Sequence, residues 1–314
     1  MWIKTDTRRL RIQDRTGVTI GAFDGVHRGH KALIRTLVNE AREREFQPLI
    51  LTFDPPPGQV FQPEEHGLLS TLDERLALFE PLGVDGVIVL PFNETLIRTP
   101  AESFVRRLLD DLHLGGLWIG ADFSLGRGGT GNTTRLQELG HQYGFDVRVL
   151  RETVMWGGEP VSSSRIRDAI KRGEIAEANG CLGHPYHITS IVRHGDHRGR
   201  RLGFPTANLH VSADRLLPPN GVYVCEAHLN RGHYPAVTNV GIRPTFNDRR
   251  PTVEAHLLDF DADIYHAALK LDFLAYLRAE VRYPTAEALI EQMHRDKSEA
   301  RAWWAAHRSE KICT

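Results

Sequence analysis

Up to about residue 182 the chain alternates two apolar textures. Short runs that are apolar almost throughout, such as PLILTF and GVIVL, give way to stretches whose apolar residues recur every third or fourth position. The first texture predicts strands buried on both faces, the second helices with one inward face. Strands are predicted over Gly17–Phe23, Pro48–Phe53, Asp85–Phe92, Leu117–Ala121 and Phe145–Arg151. Helices are predicted over His30–Phe46, Leu72–Leu82, Pro100–Leu112, Thr133–Tyr143 and Ser163–Leu182. In the first helix Leu33, Leu37 and Ala41 share a face at i, i+4, i+8. Thr99 is expected to cap the third helix with Pro100 at its first helical position, and Gly183 to end the last. Five strands with intervening helices predict a doubly wound parallel α/β domain.

After His184-Pro185 the texture changes. HITSIVRH, GVYVCEAHL, YPAVTNV and TVEAHLLDF are short β-branched and aromatic runs separated by Gly, Pro and Asn. They predict an antiparallel sheet or small barrel. A last helix is expected from Thr285 to about His307, with Leu289, Met293, Ala300 and Trp303 toward its partner. The expected fold class is therefore α/β + β, with a boundary that divides the chain into 1–184 and 185–314. No repeat or low-complexity segment interrupts it.

Composition narrows the functional classes. A chain of 314 residues suits two domains, and 41% hydrophobic with 25% charged residues suits a soluble globular protein. A formal net charge of −1 gives no global attraction to nucleic acid or an anionic membrane, so neither is an expected partner. Cys181, Cys225 and Cys313 are odd in number and widely spaced, which is neither a disulfide framework nor a zinc pattern. The opening MWIKTDTRRLRIQD has no apolar core, so no leader is expected, and the longest apolar runs are too short for a bilayer. A cytoplasmic location follows as the expectation. A weak homo-oligomer is compatible with the sequence, which carries no specific signal for one.

The candidate chemistry begins at FDGVHRGH, Phe23–His30, between the first strand and the first helix. A loop in that position aims backbone N–H groups beyond the strand's carboxyl end, where α/β sheets hold phosphates. Glycine lets the backbone come close, and imidazoles add donors. The rival readings are a helix cap and a metal site, the latter lacking further ligands at local spacing. GRGGTG at Gly126–Gly131 matches a dinucleotide fingerprint with Glu152 downstream, and would make the protein an NAD oxidoreductase. The insert ADFSL separates it from the preceding strand, so a mobile glycine-rich flap is expected instead.

FDGVHRGH resembles the HxGH signature of the nucleotidylyltransferase superfamily in its GxFDGxHxGH form, carried by Gly21 to His30. VSSSRIR at Val161–Arg167 is similar to the superfamily's ISSTxxR element. TFDPPP and GADFSLGRGGTGN extend the resemblance to the N-terminal half of the bifunctional prokaryotic FAD synthetases. HGDHRGRRLGFPTANL at His194–Leu209 resembles the riboflavin kinase signature, and NGVYV, NVGIRPTF (Asn239–Phe246) and TVEAHLLDF follow in the family's order. The chain thus resembles a riboflavin kinase / FMN adenylyltransferase over nearly its whole length. The resemblance implies an FMN adenylyltransferase domain at 1–184, and a β-barrel riboflavin kinase domain with a C-terminal helix at 185–314. ATP is then the co-substrate, Mg²⁺ the cofactor, and riboflavin, FMN and FAD the remaining small-molecule partners.

Site residues follow from the same resemblance. His27 and His30, with Gly21, Phe23, Asp24 and Gly29, belong to the ATP phosphates, and Ser162, Ser163 and Arg167 to the other lip of that site. Asp122 and Phe123 fall on the flavin side. In the kinase half Gly195, Gly199 and Gly203 form the nucleotide loop, Thr206 and Asn208 hold Mg²⁺, Glu254 is the catalytic base, and Asn239 and Arg278 bind flavin. This chain departs from the family pattern at Pro56 (commonly His), Leu125 (Phe), Ser164 (Thr), Tyr265-His266-Ala267 and Tyr283. Two alternatives are a nucleotidylyltransferase for another mononucleotide, of nicotinamide or phosphopantetheine type, and a non-catalytic flavin-binding or regulatory protein.

Overall fold

The computed structural model describes residues 1–6, 12–63, 67–195, 199, 202–230, 232–245 and 248–307, and of 243–245 and 248–251 the backbone alone. Cys313, Phe246, part of the N-terminal stretch, and four cations of the kinase-like loop (His197, Arg198, Arg200, Arg201) lie outside the described residues. The chain forms two compact units, Met1–Ser163 and Ser164–Thr314.

The first unit is built on a six-stranded parallel sheet. Its strands are β1 (Trp2–Lys4), β2 (Thr16–Ile20), β3 (Gln47–Asp54), β4 (Gly86–Pro91), β5 (Leu114–Gly120) and, after the ribbon of β6 (Ser124–Leu125) and β7 (Gly131–Asn132), β8 (Asp146–Leu150). The order is β1-β4-β3-β2-β5-β8. Every residue of β2 is buried, as a central parallel strand requires. From β2 the chain winds one way through β3 and β4, then returns to β5 and β8 on the other side. The switch point therefore lies at the carboxyl end of β2.

Helices α1 (Arg28–Glu43), α2 (Pro57–Phe61), α3 (Leu72–Phe79), α4 (Glu94–Arg98), α5 (Ala101–Leu112) and α6 (Thr133–Tyr143) connect the strands. Leu33, Leu37 and Ala41 are buried on α1 as expected. β1 adds a sixth, edge strand that the apolar pattern did not announce; its burial pattern is mostly exposed. Thr99 does not cap α5. It closes α4, where its hydroxyl donates to Thr95 O at 2.8 Å, and Pro100 occupies the N-cap of α5. The glycine-rich segment is a packed β6–β7 ribbon, with Arg127 N donating to Thr99 O at 2.9 Å. It stands between β5 and α6, so GRGGTG is not a strand-to-helix turn and the dinucleotide fingerprint lacks its context. A two-stranded hairpin, β9 (Met155–Trp156) and β10 (Glu159–Pro160), precedes VSSSRIR.

The predicted single helix over Ser163–Leu182 is two, α7 (Ser163–Arg172) and α8 (Ile175–Leu182). Gly173, at φ +76°, breaks it. Gly183 ends α8 in the left-handed region, as expected. The second unit then closes a six-stranded barrel in the order β11-β12-β15-β14-β13-β16. Its strands are β11 (Tyr186–Arg193), β12 (Ala207–Leu209), β13 (Gly221–Leu229), β14 (Gly232–Thr245), β15 (Asp248–Leu257) and β16 (Ala268–Ala279). α8 joins it through Asn179, whose amide donates to Phe273 O at 2.9 Å and accepts from Tyr186 N at 2.7 Å. The final helix α9 (Ala286–His307) buries Ala300 and half-buries Leu289, Met293 and Trp303. Cys181 and Cys225 are buried free thiols, and burial pushes the Cys225 thiol up. Among the described residues no helix is long and apolar enough to cross a membrane.

Candidate active sites

The loop between β2 and α1 leaves the switch point of the sheet. It holds three consecutive-region positive φ values, at Phe23 (+50°), Gly25 (+78°) and Val26 (+39°). Only the glycine adopts that region without steric cost, so the surrounding contacts hold the other two in place. Asp24, 2% exposed, supplies those contacts. Its carboxylate accepts from Leu69 N (3.1 Å), Ser70 N (2.9 Å) and Ser70 Oγ (3.0 Å). Gly25 N donates to Ser70 Oγ at 2.8 Å. These contacts make Asp24 an anchor of the loop from below.

His27 is the N-cap of α1, and its Nδ1 accepts from His30 N at 3.3 Å. The capping reading is thus correct in part, and it has a consequence. A neutral imidazole accepting at Nδ1 carries its proton on Nε2, the far side of the ring, as a donor. His30 stacks on His27 at 3.5 Å between centroids, and Phe23 sets its edge against His30 at 5.2 Å. Gly29 lies where a Cβ would come within 3.2 Å of the His27 ring, and Gly21 where one would come within 3.0 Å of Phe23. Ser163 Oγ donates to Asp24 O at 3.4 Å, which brings that serine against the histidine loop. Ser162 beside it is exposed, and Arg167, one turn along α7, is buried. Asp122 is exposed and Phe123 packs at the edge of the sheet's core. A cavity of about 310 Å³ beyond β4, lined by Leu90, Asn93, Leu96, Thr99 and Arg107, includes none of these residues.

In the barrel the site residues come from register. Asn208 of β12 lies directly opposite Glu254 of β15, and Glu254 directly opposite Asn239 of β14. Asn239 in turn faces Val222, and Val222 faces Arg278 of β16. One row across the sheet therefore carries Asn208, Glu254, Asn239 and Arg278. Val253 and Ala255 point into the barrel at 0% exposure, so alternation places Glu254 on the outer face. Gly195 packs so closely on Asn208 that a Cβ would lie 2.4 Å from its amide, and a Cβ on Gly199 would lie 3.4 Å from the Thr206 hydroxyl. Gly195 and Gly199 thus lie against the Asn208 and Thr206 side chains. Gly203 is exposed at φ +84°. Arg278 makes a bidentate pair with buried Asp296 of α9, at 2.7 and 2.6 Å, and its Nη1 donates to Ala279 O at 3.0 Å. The Asp296 hydrogen bonds hold the guanidinium's pKa above its ordinary value.

The comparisons with known proteins follow this division. The family model described as FAD synthetase matches residues 10–165, and that described as riboflavin kinase matches residues 182–304. A bifunctional riboflavin kinase/FMN adenylyltransferase of Bacillus subtilis is 34% identical over 92% of this chain and 92% of its own length. Those of Escherichia coli strain K12 (36%, covering 91% and 92%) and Pseudomonas fluorescens (38%, covering 92% and 94%) agree. The chain belongs to the bifunctional riboflavin kinase/FMN adenylyltransferase family. A solved structure described as a macrolide-efflux protein from Streptococcus pneumoniae shares the fold, with TM-score 0.86 and 26% identity over 96% of this chain and 98% of that one. As a member of this bifunctional family the chain is an enzyme of flavin cofactor synthesis, with ATP as co-substrate. Neither the other-mononucleotide transferase nor the non-catalytic flavin binder is supported.

Two residues beside the histidine loop escaped the sequence reading. Arg75, 1% exposed, donates from Nη1 to Ala22 O (2.7 Å), Thr52 Oγ1 (3.1 Å) and Phe53 O (3.1 Å), and from Nη2 to Phe53 O (3.1 Å). It ties the ends of β2 and β3 together. Burial pulls its pKa down, opposed by the charges of Asp24 and Asp54. Its local sequence, LDERLALF, reads as an ordinary exposed helix position. Lys31 follows His30, and burial, then Arg35 and Arg28, lower its pKa to about 8. A half-buried lysine amid cations fits a place prepared for an anion. Its only sequence signal is adjacency to the motif.

Proposed function

We propose that the two units divide the chemistry by the state of the attacking group. In the barrel, riboflavin's 5′-hydroxyl attacks the γ-phosphorus of ATP and ADP leaves. In the first unit, an FMN phosphate oxygen attacks the α-phosphorus of ATP and pyrophosphate leaves. A neutral alcohol needs a base, and Glu254 is that base. The FMN phosphate is already largely ionised, since its second pKa is about 6, and needs only alignment and charge neutralisation. His27 Nε2, His30 and the start of α1 meet the phosphates; Ser162, Ser163 and Arg167 meet them from the other side. Asp24 acts by holding the loop. Asp122 and Phe123 take the isoalloxazine side in the first unit, and Asn239 with Arg278 in the barrel, Arg278 acting through its grip on α9. Gly195, Gly199 and Gly203 let the loop's backbone approach the kinase's nucleotide.

The observation that carries this reading is the register row that sets Glu254 between Asn208 and Asn239 on the outside of the barrel. Thr206 and Asn208 also fit Mg²⁺, since both offer neutral oxygen donors of the kind that ion takes. Bound there, Mg²⁺ neutralises charge on the ATP phosphates. The reaction setting is the cytoplasm, in keeping with the free buried thiols.

The test is incubation with riboflavin, ATP and Mg²⁺, with flavins separated by chromatography over time. FMN is expected to rise first and FAD to follow, both stopping on chelation. Flavin bound without turnover of ATP overturns the reading.

A further inference from the structure

A second cluster of titratable groups lies elsewhere on the barrel. β13 and β14 form a hairpin in which His228 is directly opposite His233, one pair before the turn. Two residues back along β13, Glu226 faces Asp272 of β16, while His228 faces Lys270. Glu226 and His228 share one face, with fully buried Ala227 on the other. Nδ1 of His228 is 2.7 Å from Nδ1 of His233. Nε2 of His228 is 2.8 Å from Asp272 Oδ2 and 3.8 Å from Glu226 Oε2. One ligand atom from each of Glu226, His228 and His233 lies within 4.8 Å of the others.

The protonation pattern is constrained. Asp272 accepts from His228 Nε2, so in the neutral ring the Nδ1 lone pair points at His233. Without a cation, His233 must donate its proton into that 2.7 Å contact. A cation in place of that proton receives lone pairs from both rings. A carboxylate behind a ligating imidazole fixes its tautomer and raises its basicity, which is the place Asp272 holds. Lys270 Nζ, 3.0 Å from Asp272 Oδ1, balances that carboxylate.

We propose that Glu226, His228 and His233 bind one borderline divalent transition cation of the Zn²⁺/Ni²⁺/Co²⁺ class, with Asp272 orienting His228. Two imidazoles and one carboxylate match that class and not Mg²⁺, which favours oxygen donors alone. The site lies about 20 Å along β14 from Asn239, at roughly 3.3 Å per residue, so it is separate from the phosphate chemistry. Its cation fastens the hairpin tip.

The test uses the tag-free full chain, stripped with a chelator and titrated calorimetrically with ZnCl₂ or NiCl₂ in excess MgCl₂. One equivalent per chain is expected to bind with micromolar affinity, and Co²⁺ to give a visible ligand-field band. His228→Ala with His233→Ala should abolish both signals, and Asp272→Asn should weaken binding about 10–100-fold. Exposed His233→Ala alone, checked for an unchanged circular dichroism spectrum, guards against loss of fold. Wild-type affinity in His233→Ala, or no stoichiometric event below about 100 μM metal in the wild type, overturns the proposal.

Discussion

In the first unit the two histidines proposed to meet phosphate sit in one contiguous loop, Phe23–His30, at the end of one strand. In the barrel the proposed site residues Asn208, Asn239 and Glu254 sit on separate strands and are brought together by pairing. The loop site depends on local backbone conformation, which its own Asp24 fixes through Leu69 and Ser70, with Arg75 gripping the residue just before it. The row site depends on register, because a one-residue slip of β15 would turn Glu254 into the barrel and Ala255 out of it. The same difference runs through the chemistry. In the proposed chemistry the loop offers donors to groups already charged, whereas the row offers an acceptor to a group that must lose a proton.

The largest effect should come from removing that acceptor. Glu254→Gln is expected to lower riboflavin phosphorylation about 10²–10⁴-fold while adenylylation of supplied FMN stays near normal. Equal loss of both activities would falsify the division of labour. Next comes the loop. His27→Ala and His27→Asn should each slow FAD formation about 10²–10³-fold, as loss of one preorganised donor does, while FMN accumulates. The two variants sharpen the comparison further. Asparagine can still cap α1, so only the alanine variant should also lose about 1 kcal/mol of stability in chemical denaturation. Arg75→Met should destabilise the first unit by about 3 kcal/mol, since buried carbonyls lose a charged donor. Kinase turnover in the barrel should be untouched at temperatures where the first unit still folds, and a parallel fall in both activities there would count against separate units.

The smallest effect is a protonation change at Lys31. Its pKa of about 8 in the folded protein lies below the unfolded value of about 10.4. Between those values the unfolded chain binds the extra proton, so stability should rise with pH through that window. Phosphates beside the ammonium favour its charged form, so ATP binding above pH 8 should take up a fraction of one proton. Calorimetry in buffers of different ionisation enthalpy reads that uptake, and Lys31→Met should remove it. Proton release in the wild type would show that the lysine does not face the phosphates.

Legibility followed the same contrast. His27, His30 and their glycines stood out because they are near neighbours in one loop. Glu254 was singled out only through resemblance, since a strand carboxylate by itself is ordinary. Thr99 and Pro100 predicted a cap on α5, yet a short preceding helix claimed Thr99 first. The break at Gly173 falls where the apolar face shifts phase, from Ile166, Ala169 and Ile170 to Ile175, Ala178 and Leu182. Arg75 looked like any helix arginine, and only the approach of β2 and β3 made its burial useful.

The amino-acid pattern alone determined the alternation of buried strands and amphipathic helices, the change to an antiparallel second half, and the identity of the histidine loop. Those properties rest on spacing within a few residues, where backbone geometry ties sequence distance to direction. The tertiary structure decided which distant groups meet: Asn208 with Glu254 across strands, and Arg278 with Asp296 between strand and helix. These meetings are set by closure of the whole barrel and the docking of α9 on it, and no local window of the chain contains that constraint.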